Sequence, residues 1–575
     1  MKYIYYLFFL LIVSKVTVSQ VSYTWNGSTS TNWNTGSNWT PNGIPGTLDN
    51  VTIVTGANNC ILANNTTVTN LTITSGLLNL NAFSLNTTGV VACNSGSCTN
   101  GSFNSTASSL TFAGTTFGAN ITATVADVYF NGSIFNGSLN VTKTSASNIG
   151  STGNNVFNGA TSITNSGTGY LILTNGGVGR NETFNGVTTL NTTNTGGLYI
   201  GYGQNVAVNA NMIINNTAST GLIQLGRVGT FVLNSGVTLT CGTFSGASLN
   251  LYKISQVGIT AQTISPGANG GVNIYGSNLS GALTVNAGII TAQTSTFATT
   301  VTYNMSGTTG NCWASGGNTY NGVLNVNNSS SGYIGFANGT ADTYNGVVNL
   351  TNTSATGGRI IFGNNCTSQF NEDINVSQYG TTSASGIALG WSGTFPVINL
   401  ASGKNIFVSG AFSSGYLQLL KMQAAVTTAI NLSTTGTSNV QLNNNVFNGT
   451  VDVTAPDIYP NGGTYNAAVS FIKTGGAGGN HNSGNVNIFN STLNIENQST
   501  GYIMLGYQSA DQFNDNITVT SSNTGGIYFG WFGDTGTPTL ASGKTITIGS
   551  GGFSAGSLHF GSFTQLGTAT PINLT

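Results

Sequence analysis

The chain has 575 residues, of which 39% are hydrophobic and only 4% charged; 11 basic and 12 acidic side chains leave a net charge of −1, and glycine alone numbers 81. Near-zero charge excludes electrostatic nucleic-acid binding and a polybasic membrane contact. The apolar fraction excludes a disordered chain, which would combine few apolar residues with high net charge.

Residues 1–19 read as a secretory signal. Lys2 opens it, Ile4 to Val13 form an apolar run, and Thr17 and Ser19 occupy the −3 and −1 positions of a cut before Gln20. The run is shorter than the roughly 20 residues a spanning helix needs. No later segment is long and apolar enough to span, so the mature chain is expected to be exported with no integral membrane span.

Residues 20–55 form a distinct head. It carries Trp25-Asn26-Gly27, Asn32-Trp33-Asn34 and Asn38-Trp39-Thr40-Pro41, then Ile44-Pro45-Gly46 and Asp49-Asn50-Val51-Thr52-Ile53. A stacked-repeat protein needs an atypical terminal unit to cover its core, so these tryptophans are expected to cap. An aromatic sugar-binding platform is the alternative. From Tyr23 to Ile53 the segment resembles the opening of large secreted and cell-surface adhesins of the Bacteroidetes type, which continue into β-rich repeats. The resemblance implies export to the cell surface or medium and an adhesive or structural role.

Residues 56–113, with strand-like runs such as Val68 to Ile73 and Leu77 to Leu85, are expected to form the first coils. Three long copies follow, at 114–275, 276–442 and 443–575. Their recurring motif is an aromatic-Asn pair, an apolar alternation, Ser/Thr-Gly turns and a second alternation. It reads Phe184-Asn185 to Gly201, Tyr344-Asn345 to Gly363, and Phe513-Asn514 to Gly530. Period-two alternation of β-branched and aromatic residues means strands, and Asn, Gly, Ser and Thr between them mean turns. Landmarks recur about 24–29 residues apart, too few for a four-stranded propeller blade of about 40. The third copy is short by one such unit, a loss that only a stack of coils tolerates. The expected fold is therefore all-β: a right-handed parallel β-helix with an N-terminal cap, its hand following the general preference of parallel crossovers. The end, Pro571 to Thr575, matches Ala429 to Ser433, so the chain reads as the front part of something longer or as a truncated gene product.

Few residues could carry chemistry. Glu182, Asp342 and Asp511 share one place, two residues before an aromatic-Asn pair; an active site would not be triplicated, so a turn or cap role is expected. Glu372-Asp373 is unique, but adjacent strand residues face opposite sides. Carboxylates could converge only at Asp511, Asp515 and Asp534, on neighbouring coils. His481 and His559 have no partner at metal-ligand spacing, so neither metal nor cofactor is expected. Cys93 and Cys98 enclose a short turn and are the disulfide candidate of an exported protein. Trp391 and Trp531 follow Gly in matching coils where the first copy has Arg227; they could contact sugar rings or pack on a neighbouring turn. The sequence thus points to a non-enzymatic, surface-associated structural or adhesive solenoid whose partner is surface polysaccharide or a host or abiotic surface. A polysaccharide-binding or polysaccharide-degrading β-helix is the alternative, and ladders of exposed Thr against an ordered crystalline surface a third.

Overall fold

The structure, a computed structural model, describes residues 19–175, 179–307, 311–378, 382–394, 396–410, 412–425, 428–476, 484–567 and 572, and the backbone of 480–481. The expected signal segment (all but Ser19) and the matching end segment (all but Ile572) lie outside the described residues. The chain is a parallel β-helix. Among the described residues its one helical element is the 3₁₀ turn Gly36–Asn38. Two compact units are distinguished: Met1–Ser145 with Asn154–Thr161, and Ala146–Gly153 with Ser162–Thr575.

In the first unit each coil contributes three short strands to three walls. Val90–Cys93, Ser97–Thr99 and Ser102–Ser105 make one coil, and Ser109–Ala113, Thr116–Phe117 and Asn120–Val125 the next. Every strand pairs in parallel with its equivalent one coil on: Val91 with Leu110, Cys98 with Phe117, Phe103 with Ile121. Alternation along each strand sends every second side chain inward, so Leu110 and Phe112 are buried while Ser109 and Thr111 are not. Parallel pairing needs crossovers, and the coil itself provides them.

The head completes this unit. Ser22–Trp25 pairs antiparallel with Trp39–Thr40 and parallel with Asn50–Ile53 of the first coil. Trp25, Trp33 and Trp39 are all buried. Trp39 sits edge-on to the other two at 4.9 and 4.7 Å, and its indole N–H donates to the Trp33 carbonyl at 2.7 Å. The Trp25 indole donates to the Asn58 carbonyl at 2.8 Å. The rings pack edge to face and are buried, where a sugar platform would need open faces.

The second unit repeats the three-walled scheme. Its first wall includes Tyr333–Asn338, Arg359–Asn364 and Gly386–Ser392; its second Thr343–Tyr344 and Ser368–Phe370; its third Leu324–Asn328, Val348–Asn352 and Ile374–Gln378. Rings stack in succession along the second wall, Phe297 on Tyr320 at 4.9 Å, Tyr320 on Tyr344 at 5.3 Å and Tyr344 on Phe370 at 4.4 Å. The Asn after Tyr320, Tyr344 and Phe370 forms an outer ladder, Asn345 donating to Asn321 at 2.8 Å and Asn371 to Asn345 at 2.7 Å.

Coil length varies more widely than the landmark spacing predicts. A short coil takes Leu283 to its partner Val301, and one nearly twice as long takes Ile374 to its partner Ile406. The difference lies largely in the turns flanking the first wall. Where the turn from third to first wall is minimal, Leu283–Gln293 runs through both walls as one strand. After Val348–Asn352 the turn is longer, and the buried Asn that ends the strand holds it: Asn352 Nδ2 donates to the carbonyls of Gly358 and, one coil on, Gly386, at 2.7 and 3.0 Å. Gly358 is required there, because a Cβ would lie 2.1 Å from the Ser330 carbonyl oxygen. The landmarks that set the expected length all came from coils with these longer turns.

Candidate functional site

The repeated acids lie inside. Glu182, Asp342 and Asp511 are fully buried, at the inward position that opens the second-wall strand. Asp342 Oδ1 accepts the Asn318 backbone N–H at 2.7 Å and its amide at 3.1 Å, and Oδ2 accepts the Tyr344 hydroxyl at 3.0 Å. Burial pushes its carboxyl up to about 6 against these donors. Asp511 Oδ1 accepts from the Asn487 N–H and the Ser509 hydroxyl, each at 2.9 Å; Oδ2 accepts from the Gly506 N–H at 2.9 Å and the Asn487 amide at 3.1 Å. Its carboxyl too is raised by burial. Each of these two carboxylates therefore satisfies a backbone N–H of the preceding coil that would otherwise be buried unpaired. Asn318 does the same one coil earlier, its Oδ1 accepting the Ser295 N–H at 3.0 Å.

The other acids named from the sequence also hold turns. Asp515 pairs with Lys544 at 2.7 Å and Glu372 with Lys404 at 2.5 Å. Asp373 accepts the Asn405 N–H at 2.8 Å, so this neighbouring pair braces the next coil's turn. Asp534 accepts the Gln508 N–H at 3.3 Å, while Asp511 faces the core. Among the described residues no group of three His, Cys, Asp or Glu could hold a metal ion. The backbone of His481 lies on a strand, and its side chain is outside the described residues. His559 stacks on Tyr528 at 4.2 Å and meets the Ser557 hydroxyl through Nε2 at 2.6 Å.

The expected Cys93–Cys98 bridge is not formed; both thiols are free and buried. Cys93 closes a first-wall strand between Ile73 and Phe112, whereas Cys98 lies on the second wall between Leu78 and Phe117. Alternation places each in an inward slot of its own wall, where it packs as a small apolar residue. Burial pushes the Cys98 thiol up to about 12.

Trp391 and Trp531 are exposed at 37% and 44%, and both lie on the first wall of the second unit or just beyond a strand of it. Arg359 lies between rings, its guanidinium carbon 5.8 Å from the centre of Trp391 and 5.7 Å from that of Tyr416. Trp531 is 5.9 Å from Tyr528 in a groove of about 340 Å³ also lined by Phe532 and His559. The equivalent place in the first long copy is a groove of about 360 Å³, lined by Tyr170, Tyr199, Tyr202, Gln224, Arg227 and Tyr252 among others. There Arg227 lies 4.3 Å above Tyr202. Sequence reading found Arg227 and the two tryptophans but not the tyrosines, whose signal is a ring directly after the turn glycine or at an outward strand position: Tyr170, Tyr199, Tyr333, Tyr502 and Tyr528.

Comparison with protein-family models, curated proteins and solved structures finds no match to this chain. No helix among the described residues is long and apolar enough to cross a membrane.

Proposed function

We propose that the protein is an exported, surface-associated β-solenoid whose work is structural and adhesive rather than catalytic. One observation carries the reading: the second unit presents solvent-facing aromatic clusters on one wall, once per long repeat, while Asp342 and Asp511 are turned inward to hold backbone. An adhesive surface is served by repetition. Hydrolysis of a glycosidic bond instead needs two free carboxyls facing one bond about 5–10 Å apart, and Asp511 has both oxygens engaged inside the coil. Export is supported by the composition of residues 1–19, and a surface role by the resemblance of Tyr23 to Ile53 to bacterial adhesins.

The test uses the chain from Gln20 onward, immobilised on beads and challenged under flow with bacterial cells and polysaccharide-coated surfaces. Retention, with no reducing ends or unsaturated products released from a polysaccharide panel, is the expected result. Replacing Glu182, Asp342 and Asp511 together by Asn is expected to leave retention intact. Turnover abolished by Asp511→Asn or Asp534→Asn would overturn the reading.

A further inference from the structure

We propose that the first wall of the second unit is a binding strip for a linear, uncharged polysaccharide, with one station per long repeat. The stations centre on Tyr199 with Arg227, on Arg359 with Trp391, and on Tyr528 with Trp531. This rests on the adhesive reading and names its site and ligand class.

The fold does not call for these rings. A solenoid constrains its inward positions, and the outward positions of the third wall carry hydrogen-bonded Asn ladders such as Asn325–Asn349–Asn375, at 2.8 and 2.7 Å. On the first wall outward positions instead carry Tyr170, Tyr199 and Tyr252, then Tyr333 and Tyr416, then Tyr502 and Tyr528. Tyr170, Trp391 and Trp531 are exposed and the other rings half-buried beside them, and aromatic surface grouped in this way marks an interaction site where scattered single rings such as Phe407 do not.

The chemistry at each station selects the ligand. Flat Tyr and Trp faces take the C–H face of a pyranose, while nearby hydrogen-bonding groups take its hydroxyls. Asn250, half-buried in the lining, fills that polar role in the first station, where Gln224 is buried with its amide on the Gly226 carbonyl. Arg227, held over Tyr202, keeps its N–H edge available. In the third station His559 stacks face to face on Tyr528, so Trp531, exposed at 44%, offers the ring surface there. An acidic polymer is disfavoured: neither Arg nor Lys lines the third station, so cationic charge is not common to the three. The aromatic surface is.

The stations are aligned and spaced. Pairing runs from Gln224 through Asn250, Asn273 and Thr291, and by way of the Gln293–Gly316 bridge to Gly335, Ile361 and Ala388, in seven coil steps. From Ala388 to Tyr528 there are six, because the third repeat lacks a coil. At about 4.8 Å per coil the stations are separated by about 34 and 29 Å. A short oligosaccharide occupies one station, and a long chain can engage all three, so affinity should rise steeply with ligand length.

The experiment measures binding of the chain from Gln20 onward to xyloglucan, galactomannan and mixed-linkage glucan, to their six-sugar fragments, and to alginate and polygalacturonate. Variants are Tyr199→Ala with Arg227→Ala, Trp391→Ala, Trp531→Ala, the combination of all four, and Phe407→Ala as an exposed ring on the third wall. Hydrogen exchange confirms that the coils of each variant remain protected. At least one neutral polymer is expected to bind, its fragments far more weakly; each single-station variant weakens the polymer by about tenfold, the combination abolishes binding, and Phe407→Ala changes nothing. Binding of acidic polymers alone, or neutral-polymer binding that survives the combined variant, overturns the inference. So does parent-chain self-association that disappears in the combined variant, which would make the rings an interface between copies. If the combined variant keeps both neutral-polymer binding and adhesion to surfaces, the inference falls and the adhesive reading stands. If the parent chain holds neither surface nor glycan, both fall.

Discussion

Lys473 shows how single residues decide whether a coil closes. Its side chain is fully buried at the end of a third-wall strand, and its ammonium donates to Asp457 Oδ1 at 2.5 Å and to the carbonyls of Gly475 and Pro456 at 2.8 and 2.9 Å. Burial pulls the amine below its usual value, and Asp457 pulls the other way. In the preceding long repeat the same two slots, at the same separation along the chain, hold Ile289 and Met305. The first long repeat holds Asp127 and a buried Lys143 there, so two copies use a carboxylate with a buried ammonium and one uses a buried Met305 with an exposed Ile289. A buried ion pair and a well-packed apolar pair can be close in stability, whereas one partner alone is costly. Lys473→Met should destabilise its coil by about 3 kcal/mol, and adding Asp457→Ile should recover most of that. Native-state hydrogen exchange of residues 469–473 checks this, because long coil stacks need not unfold in two states. Asp342 supplies a pH dependence of defined sign. Its carboxyl is raised to about 6 from an ordinary value of 3.8, so between those values the folded chain binds more protons than the unfolded one. Local stability should then rise as pH falls from about 7 to about 4. Asp342→Asn should remove this slope, and exchange rates of the surrounding amides measured across that range decide it.

Short strands are individually weak, and ladders through neighbouring coils make them persist. Tyr344 is the clearest case, with its ring between Tyr320 and Phe370 and its hydroxyl on Asp342. Tyr344→Ala is expected to cost about 3–5 kcal/mol at that coil, and a loss below about 1 kcal/mol in urea titration monitored at residues 343–352 would place the ring's contribution elsewhere. These inward ladders were legible in the sequence because alternation at period two separates the faces of a strand without any knowledge of its partners. The stacking of Asn after each ring was legible for the same reason. Three features were not. The short coils escaped because a minimal turn leaves no Gly-rich punctuation, so two walls read as one strand. The cysteine pair was misread because closeness in sequence says nothing of two side chains assigned to different walls. The tyrosine stations were missed because an outward ring on an alternating strand resembles any other outward residue until the coils are stacked.

At the scale of the whole chain, the long repeat is a count of coils. From Leu283 to Val451 the third wall takes seven steps, beginning with the short coil that ends at Val301 and including the long coil that ends at Ile406. The third repeat also opens with a short coil, Val451 to Val469, and reaches its own long coil, Ile517 to Ile546, after two intervening coils instead of three. The missing piece is therefore a whole turn, and the pairing on either side is undisturbed. In a stack where each coil touches only its neighbours, stability is a sum of coil and interface contributions, so removing one turn should subtract one contribution and leave the rest. The second repeat offers the equivalent experiment. Thr343 pairs with Gln369 and Tyr344 with Phe370, so deleting residues 344–369 joins Thr343 to Phe370 with every inward position preserved. That variant is expected to keep its strand circular dichroism and its exchange protection in the flanking coils. Deleting 344–356 instead removes an odd number of residues and half a coil, which turns inward side chains outward. Protection should then collapse across several coils. Equal tolerance of the two deletions would mean that the coils are not the units of stability.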